Sequence, residues 1–377
     1  MATHTLESQV SIRDNMLATI EAALSANTRL GRRSTSKETA RLVLQQLTVI
    51  IKNKEWKHAQ DLLRILREFG AKLVELDPTE TVVGNVVRRV LKIVRDDYLR
   101  VHCGHSADTQ TKLLLPHAAD DFATPYVDLQ DHILESLDEF EQEIDFSVDS
   151  IVQHAKRLIN DGEVVLTMGK SRTVEAFLRT AAKARQFTVV VVESAPSYEG
   201  HEMAKSLGKC AIPTIVIHDS AVFAMMGRVH KVVLGTHSVM ADGGLKAYSG
   251  AYAIARAAKH YSVPLLVCTP VYKLTPQFVA SEDQPGFNKL ESPQEIFDYA
   301  DEDRVLDEVE FLNPVFDYVP PDLVPLFIFN VGGNSPSYVY RLLSELYHPD
   351  DYDLSTDLYA DGTASSSSSS RTVQHDV

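Results

Sequence analysis

Cysteine is scarce in this sequence, with three residues among 377 and no CxxC pair. The odd, scattered set of Cys103, Cys210 and Cys268 favours reduced thiols over a disulfide framework. Long apolar runs are lacking too, and residues 1–7 show no charged-then-apolar signal pattern. We therefore expect no membrane partner, no secretion and a cytoplasmic location.

Positive charge is also short, because 37 lysines and arginines stand against 52 acidic residues, a formal net charge of -15. A protein that binds the nucleic-acid backbone needs a basic face to displace counterions, so the composition argues against a direct nucleic-acid partner. The apolar fraction of 44% is large enough for substantial cores, and a chain of 377 residues favours two domains.

Metal-ligand spacing is missing as well. Fourteen histidines form no HxH or HxxxH pair beside carboxylates. His102 and His105 flank Cys103, but no second cluster completes the four ligands of a tetrahedral site. We therefore expect no metal.

The two candidate phosphate-binding motifs are also incomplete. Gly169-Lys170-Ser171 lacks the loop glycine five residues earlier, where Val164 stands, and Gly243-Gly244 lacks GxGxxG spacing. We interpret the first segment as a strand-to-helix turn capped by Ser171 or Thr173, and we expect no cofactor.

Apolar periodicity divides the chain into four parts. Residues 1–115 predict a helical domain, with helices over 36–47, over 56–67 ending near Gly70, and over 81–95. Residues 116–160 are an acidic connector and a linking helix, and the acidic run 138–143 is typical of a solvated face or a flexible connector. Residues 161–352 predict an α/β domain, and 353–377, with six consecutive serines, a disordered tail.

Short, nearly continuous apolar runs alternate with amphipathic segments in the α/β part, which is typical of a parallel sheet covered on both faces. The predicted strands are 164–167, 188–192, 214–217, 231–234, 265–268 and 326–330, and the predicted helices are 173–185, 200–207, 221–226 and 246–260. Residues 277–310 interrupt the pattern as a surface insertion. His218-Asp219 ends a strand, where α/β active sites lie, but Asp219 is better explained as a helix cap.

Two later segments combine prolines or glycines with aromatic residues. Residues 313–321 (NPVFDYVPP) must be extended, and they predict either a strap across the sheet edge or a subunit contact. Residues 329–341 run from a strand through Gly332-Gly333 into a helix that Ser335 or Asn334 would cap. The start of that helix could receive an anionic group, or the glycines could simply close a tight turn.

The motifs TMGKSRTVEAFL (167–178), ESAPSYEGHEMA (193–204), NPVFDYVPP (313–321) and NVGGNSPSYVYRLLSELYHPDD (330–351) resemble the regulatory subunits of translation initiation factor 2B. This factor is the guanine-nucleotide exchange factor for initiation factor 2. The similarity covers nearly the whole chain except the serine-rich tail, and the last two motifs are most similar to the beta subunits of the family.

The resemblance implies a helical domain followed by a Rossmann-like parallel-sheet domain of an isomerase-related α/β fold. It also implies a regulatory role in a hetero-oligomer. In this family the beta subunit pairs with the delta subunit, alpha, beta and delta form the regulatory core, and gamma and epsilon supply the exchange activity. The core binds the alpha subunit of initiation factor 2, senses its phosphorylation and so controls translation initiation.

The wider fold family includes isomerases of ribose bisphosphate and methylthioribose phosphate. They use a cysteine after the first strand, an aspartate and an Asn-Lys pair, and the matching residues here are Gly169, His237 and Ala247-Tyr248. Losing several members of a catalytic unit costs powers of ten in rate, so we expect no catalytic residues and no isomerase activity. The alternatives are an isomerase, or a degenerate pocket that binds a sugar phosphate without turnover.

Partner-binding residues are expected in two places. The strand ends and the glycine turn would lie near the alpha subunit of initiation factor 2 through Lys170, Arg172, Asn334, Ser335 and Arg341. The alternative for Arg341 is an ion pair with Glu345 one helical turn on. The proline segment would lie at or support the contact with delta, through Val315, Phe316, Tyr318 and Val319.

Overall fold

Within the residues described by the structure, four long helices form the first layer. The computed structural model describes residues 35–53, 56–103, 122–279, 287–296 and 309–354. The helices are α1 (Ser36–Lys52), α2 (Ala59–Leu76), α3 (Thr81–Cys103) and α4 (Leu129–Val152). Their apolar faces pack on one another around α3, whose valines at positions 82, 83, 86, 87, 90 and 94 are fully buried. Helical spacing therefore outweighs the β-branched composition of α3.

Specific contacts explain the start of α1 and the role of Gly70 inside α2. Thr35 and Glu38 form a reciprocal capping box at the first turn of α1. Helix α2 does not end near Gly70 as predicted, but continues to Leu76. A Cβ on Gly70 would lie 2.4 Å from Val87 Cγ1, so the glycine serves close packing of α2 on α3.

The acidic run lies inside α4, a helix of 24 residues, rather than in a flexible connector. Leu129, Ile133, Leu137, Phe140 and Ile144 recur at helical spacing and join the core of the helical layer. One turn later, Ile151 enters the core of the α/β part. The charged residues are the solvated face of a helix that bridges the two parts, because its other face is apolar.

The α/β part is built on a sheet of seven strands. The strands are β1 (Val164–Met168), β2 (Thr188–Val192), β3 (Thr214–Ile217), β4 (Lys231–Leu234), β7 (Leu265–Cys268), β9 (Leu326–Phe329) and β10 (Gly332–Asn334), in the order β10-β9-β7-β4-β1-β2-β3. All pairs are parallel except β9 with β10. The six predicted strands are confirmed within two residues, and β10 was not predicted.

Both faces of this sheet are covered, as predicted from its apolar strands. On one face pack the end of α4 with α5 (Ala155–Leu158), α6 (Arg172–Ala182) and α7 (Glu199–Lys209). The other face carries α8 (Val222–Met226), α9 (Ala251–His260) and α10 (Val339–Leu346). Successive residues alternate between the two cores, since Val165 belongs to one and Leu166 to the other.

A second, antiparallel sheet was missed entirely. It consists of β5 (Ser238–Val239), β6 (Leu245–Tyr248) and β8 (Phe316–Val319), in the order β5-β6-β8. The predicted helix over 246–260 is therefore wrong at its start, because residues 245–248 are a strand and the helix begins at Ala251. Leu245 and Ala247 face the core of the main sheet, while Lys246 between them faces the helical layer.

The end of the described chain is held against the helical layer by buried hydrogen bonds and apolar packing. The carboxylate of Asp351 is fully buried, and it accepts hydrogen bonds from Arg67 Nη1 at 2.8 Å and from Arg95 Nε and Nη2 at 3.1 Å each. Arg88 Nε donates to the carbonyl oxygen of Asp351 at 3.1 Å. Leu354 is buried in the helical core, two residues past the predicted end of the α/β domain. The serine-rich segment lies outside the described residues.

Replacing Asp351 by alanine should destabilise the chain by about 3–5 kcal/mol, because it leaves buried guanidinium groups without their carboxylate. Urea unfolding followed by circular dichroism measures the change. The matched control is Asp322→Asn, which removes the carboxylate of an exposed pair with Lys259 and should leave the midpoint unchanged. A variant at Asp351 that unfolds at the wild-type urea concentration would contradict the central role of this cluster.

Candidate functional site

The turn after β1 is an ordinary connection into a helix, as the sequence indicated. Ser171 caps α6, since its Oγ accepts a hydrogen bond from the Val174 amide at 3.4 Å. Gly169 adopts a φ of 56°, and its amide donates to the Val192 carbonyl oxygen at 3.3 Å. A side chain at Gly169 would be strained and would approach Ser194 Oγ to 3.2 Å. The turn offers no acid or nucleophile at this position.

Lys170 and Arg172 lie at the carboxyl end of β1, and both engage neighbouring carboxylates. Arg172 Nη1 lies 3.1 Å from Glu38 Oε1 and 3.3 Å from Thr35 Oγ1. Lys170 Nζ lies 3.9 Å from Glu202 Oε2. Hydrogen bonds from the Thr35 amide and from Arg172 lower the pKa of Glu38. Arg172 therefore ties α6 to the first helix of the helical layer while remaining exposed.

Asn334 and Ser335 do not share that edge. Strand β10 runs antiparallel, and Asn334 pairs with Phe327 near the start of β9. Both residues thus lie toward the amino ends of the parallel strands. Four strand spacings, about 19 Å, also separate β10 from β1. The structure does not bring the predicted contact residues together into one site.

Arg341 forms the ion pair with Glu345 that the sequence offered as one of two alternatives. Its Nε lies 2.9 Å from Glu345 Oε1, one helical turn on, and its guanidinium lies over the ring of Tyr338. Glu345 raises the pKa of Arg341. No side-chain hydrogen bond from Ser335 caps the short 3₁₀ turn that follows.

Polar groups gather at the carboxyl ends of β2 and β3. Glu193 Oε1 accepts a hydrogen bond from His218 Nδ1 at 2.9 Å, and the other carboxylate oxygen lies 3.6 Å from His201 Nε2. The hydrogen bond to Glu193 raises the pKa of His218. Asp219 is not the predicted helix cap, because its Oδ2 accepts the Ala195 amide at 2.8 Å. This carboxylate holds the loop after β2 instead.

The positions matched to the isomerase aspartate and lysine are occupied by an aromatic stack. The His237 ring lies 4.6 Å from the ring of Phe316, and the Tyr248 ring stacks on the same phenyl ring at 5.7 Å. His237 Nε2 lies 3.7 Å from Glu80 Oε1. Ala247 packs in the core of the main sheet. These side chains hold the second sheet to the rest of the chain.

Phe316 and its neighbours are internal. Phe316 is 7% exposed, Val315 8% and Val319 0%, and Tyr318 is half-buried with its hydroxyl bonded to Asp242. Strand β8 pairs with β6 across all four residues, from Leu245 with Val319 to Tyr248 with Phe316. The proline segment is therefore a strand inside this chain. A contact with another subunit there would use it chiefly as a support.

The structure adds a buried charged cluster that sequence reasoning missed. Lys246 Nζ donates to the Thr79 carbonyl oxygen at 2.8 Å, and Lys273 Nζ donates to the Thr236 carbonyl oxygen at 2.9 Å. Desolvation lowers the pKa of each lysine to about 8 and raises that of Glu80 beside them. A signal for this cluster existed, because the apolar alternation of residues 245 and 247 indicates a strand.

Among the residues that the structure describes, no group of three or more His, Cys, Asp or Glu side chains could hold a metal ion. Within the same ranges, no helix is both long and apolar enough to span a membrane.

A helical layer joined to a mostly parallel sheet that is covered on both faces defines a Rossmann-like α/β protein. The model of the Initiation factor 2 subunit family matches residues 32–336, more than half of the chain. The chain belongs to this family.

Two relatives named as beta subunits match over most of their lengths, and a delta subunit matches over a shorter part. The sequence is 38% identical over 367 residues to translation initiation factor eIF2B subunit beta of Dictyostelium discoideum, covering 86% of this chain and 93% of the relative. It is 35% identical over 365 residues to the beta subunit of Schizosaccharomyces pombe, covering 83% and 91%. Over 227 residues it is 31% identical to the Dictyostelium delta subunit, covering 57% and 36%.

Solved structures extend the likeness to three dimensions. Crystal structures of eIF2B beta and of the tetrameric eIF2B-beta2-delta2 complex, both from Chaetomium thermophilum, match with TM-scores of 0.65 and 0.66 at 27% and 26% identity. They cover 89% and 90% of this chain and 93% and 98% of theirs. The eIF-2B of Pyrococcus horikoshii, at 20% identity and a TM-score of 0.57, covers 86% of this chain and 97% of its own and shows the shared fold.

Truncating Phe316 to alanine should destabilise the chain by about 3–5 kcal/mol, because it opens a cavity between His237, Tyr248 and Lys246. The measurement is urea unfolding of the purified chain. Phe223→Ala is the matched control, since the ring of Phe223 is 49% exposed and should lose far less. Equal losses for the two variants would show that Phe316 is not a core residue.

The pKa of Lys246 predicts how stability depends on pH. It falls from 10.5 to about 8 in the folded chain, so between these values the unfolded chain binds more protons at this position. Wild type should therefore gain stability relative to Lys246→Met as pH rises from 8 to 10, by up to about 3 kcal/mol. Urea unfolding across this range tests the sign.

Lys246→Arg is the control for that series, because its side chain stays charged throughout and should lack the gain. A difference between wild type and Lys246→Met that stays constant or moves the other way would contradict the prediction.

Proposed function

We propose that this chain is the non-catalytic beta subunit of the guanine-nucleotide exchange factor for translation initiation factor 2, and that it works in the cytoplasm as a regulatory subunit. The observation that carries the proposal is the similarity to eIF2B beta subunits over more than four-fifths of the chain, in sequence and in structure. The matched range spans both the helical part and the α/β part, so the similarity is not confined to a single motif.

Assembly with a delta subunit is part of the proposal. The matching tetramer from Chaetomium thermophilum contains beta and delta subunits, and the Dictyostelium delta subunit shares 31% identity with this chain over 227 residues. Homologous chains with the same fold can pair through related surfaces, much as copies of one chain do. The alpha, gamma and epsilon subunits would complete the complex, with the exchange activity in the last two.

The non-catalytic role is supported by the packing at three positions. Gly169 has no side chain, His237 lies against Phe316, and Tyr248 stacks on the same ring. A general acid or a nucleophile needs a reactive group within hydrogen-bond reach of the substrate. These side chains are instead held by the second sheet, which favours a structural use of the former catalytic region.

Recognition of the alpha subunit of initiation factor 2, and of its phosphorylation, would use exposed strand-end residues. The structure divides the predicted residues into two areas, one with Lys170 and Arg172 and one with Asn334 and Ser335. Lys170 and Arg172 supply positive charge on an otherwise acidic protein, which suits a phosphorylated or acidic partner. We therefore expect the first area to respond to phosphorylation more than the second.

Reversing the charge with Lys170→Glu should weaken binding of phosphorylated initiation factor 2 by roughly tenfold, because the variant repels the partner's negative charge. Asn334→Ala tests the second area separately. Pulldown and GDP-release assays on the complex reconstituted with the other subunits measure both variants, with initiation factor 2 phosphorylated and not.

Lys183→Glu is the matched control, an exposed charge reversal at the far end of α6. Delta must co-purify with every variant for the comparison to count. If Lys170→Glu and Asn334→Ala both bind and exchange like wild type, neither area recognises initiation factor 2. Failure of wild type to join delta would reject the proposed function itself.

A further inference from the structure

A cavity of about 320 Å³ lies where the helical layer meets the second sheet. Its walls come from α2, the start of α3, the β5–β6 hairpin and the segment after β7. The lining residues are Val74, Pro78, Thr81, Met240, Lys246, Gln277, Phe278, Val279 and Phe287. The volume is within the range of small-molecule sites. None of the positions matched to the isomerase catalytic groups lines it.

The lining combines a mostly apolar wall with three polar side chains. Six of the nine residues are apolar, and the polar ones are Thr81, Lys246 and Gln277. Thr81 is 5% exposed, and its buried Oγ1 has no hydrogen-bond partner among the described residues. A buried hydroxyl without a partner is costly, so its presence beside a cavity points to a polar group that occupies the cavity.

Lys246 supplies positive charge at the same wall. Its Nζ donates to the Thr79 carbonyl oxygen and lies 4.7 Å and 5.5 Å from the ring centres of Phe316 and Phe287. Asp77 and Glu80 also lie near this ammonium, and Lys289 and Lys273 lie beside those two carboxylates, so three ammonium groups face two carboxylates. The cavity therefore presents an ammonium and a hydroxyl beside apolar and aromatic surface.

We propose that this cavity binds a small amphipathic monocarboxylate. The carboxylate would accept hydrogen bonds from Thr81 Oγ1 and Lys246 Nζ, and the hydrocarbon would lie against Val74, Met240 and Phe287. Such a ligand satisfies the buried hydroxyl and buries apolar surface at the same time. A sugar phosphate fits less well, because its hydroxyls would find few hydrogen-bond partners among the six apolar lining residues.

Octanoate is a suitable probe, with about ten heavy atoms for a site of this size. Isothermal titration of the purified full chain should show octanoate binding and a thermal stabilisation that grows with concentration. The uncharged octanamide and ribose 5-phosphate should bind at least about tenfold more weakly. Lys246→Met removes the ammonium and keeps an unbranched side chain, and Thr81→Val removes the hydroxyl and keeps the side-chain shape. Each variant should weaken octanoate binding at least about tenfold.

Lys259→Met, at an exposed lysine paired with Asp322, is the control and should bind octanoate like wild type. If Lys246→Met does not fold, Thr81→Val and the octanamide comparison still decide the matter. Binding that is absent at millimolar octanoate, unchanged in Thr81→Val, or equal for octanoate and octanamide would overturn the proposal. So would tighter binding of ribose 5-phosphate than of octanoate.

Discussion

The contact between the helical layer and the α/β part depends on the buried carboxylate of Asp351. It comes from the last described turn of the α/β part, yet its partners Arg67 and Arg95 belong to α2 and α3 of the helical layer. Charges this deeply buried are tolerated only when they are paired and hydrogen-bonded. Arg67 also donates from Nη1 and Nη2 to the carbonyl oxygen of Asp350, which completes the set. The cluster therefore joins α2 and α3 to the end of the α/β part.

Once α3 is fixed, its first turn and the preceding Glu80 lie against the second sheet. This contact creates the cluster of Lys246, Lys273 and Glu80 and the adjoining cavity, neither of which exists within one part alone. The ring of Phe316 closes the same region through His237 and Tyr248. Side chains at the boundary of the two parts are thereby used to pack the second sheet against the helical layer.

The strand ends show how a correct fold prediction can still misplace a surface. The parallel strands and the helices between them were predicted from short apolar runs and amphipathic periods. Burial of a sheet on both faces imposes that pattern. Asn334 was nevertheless assigned to the wrong edge. The pairing direction of β10 depends on the Gly332–Asn334 segment folding back on β9, which three residues without large side chains do not specify.

The amino-acid sequence by itself determined the family, the helical layer and the six core strands, since these depend on local period and on specific motifs. Only the tertiary structure decided that the acidic run lies on a helix, that residues 245–248 are a strand, and that Phe316 is internal. It also placed Asp351 between two arginines more than 250 positions away in the chain. Contacts at that separation depend on how whole elements pack, and no local pattern encodes them.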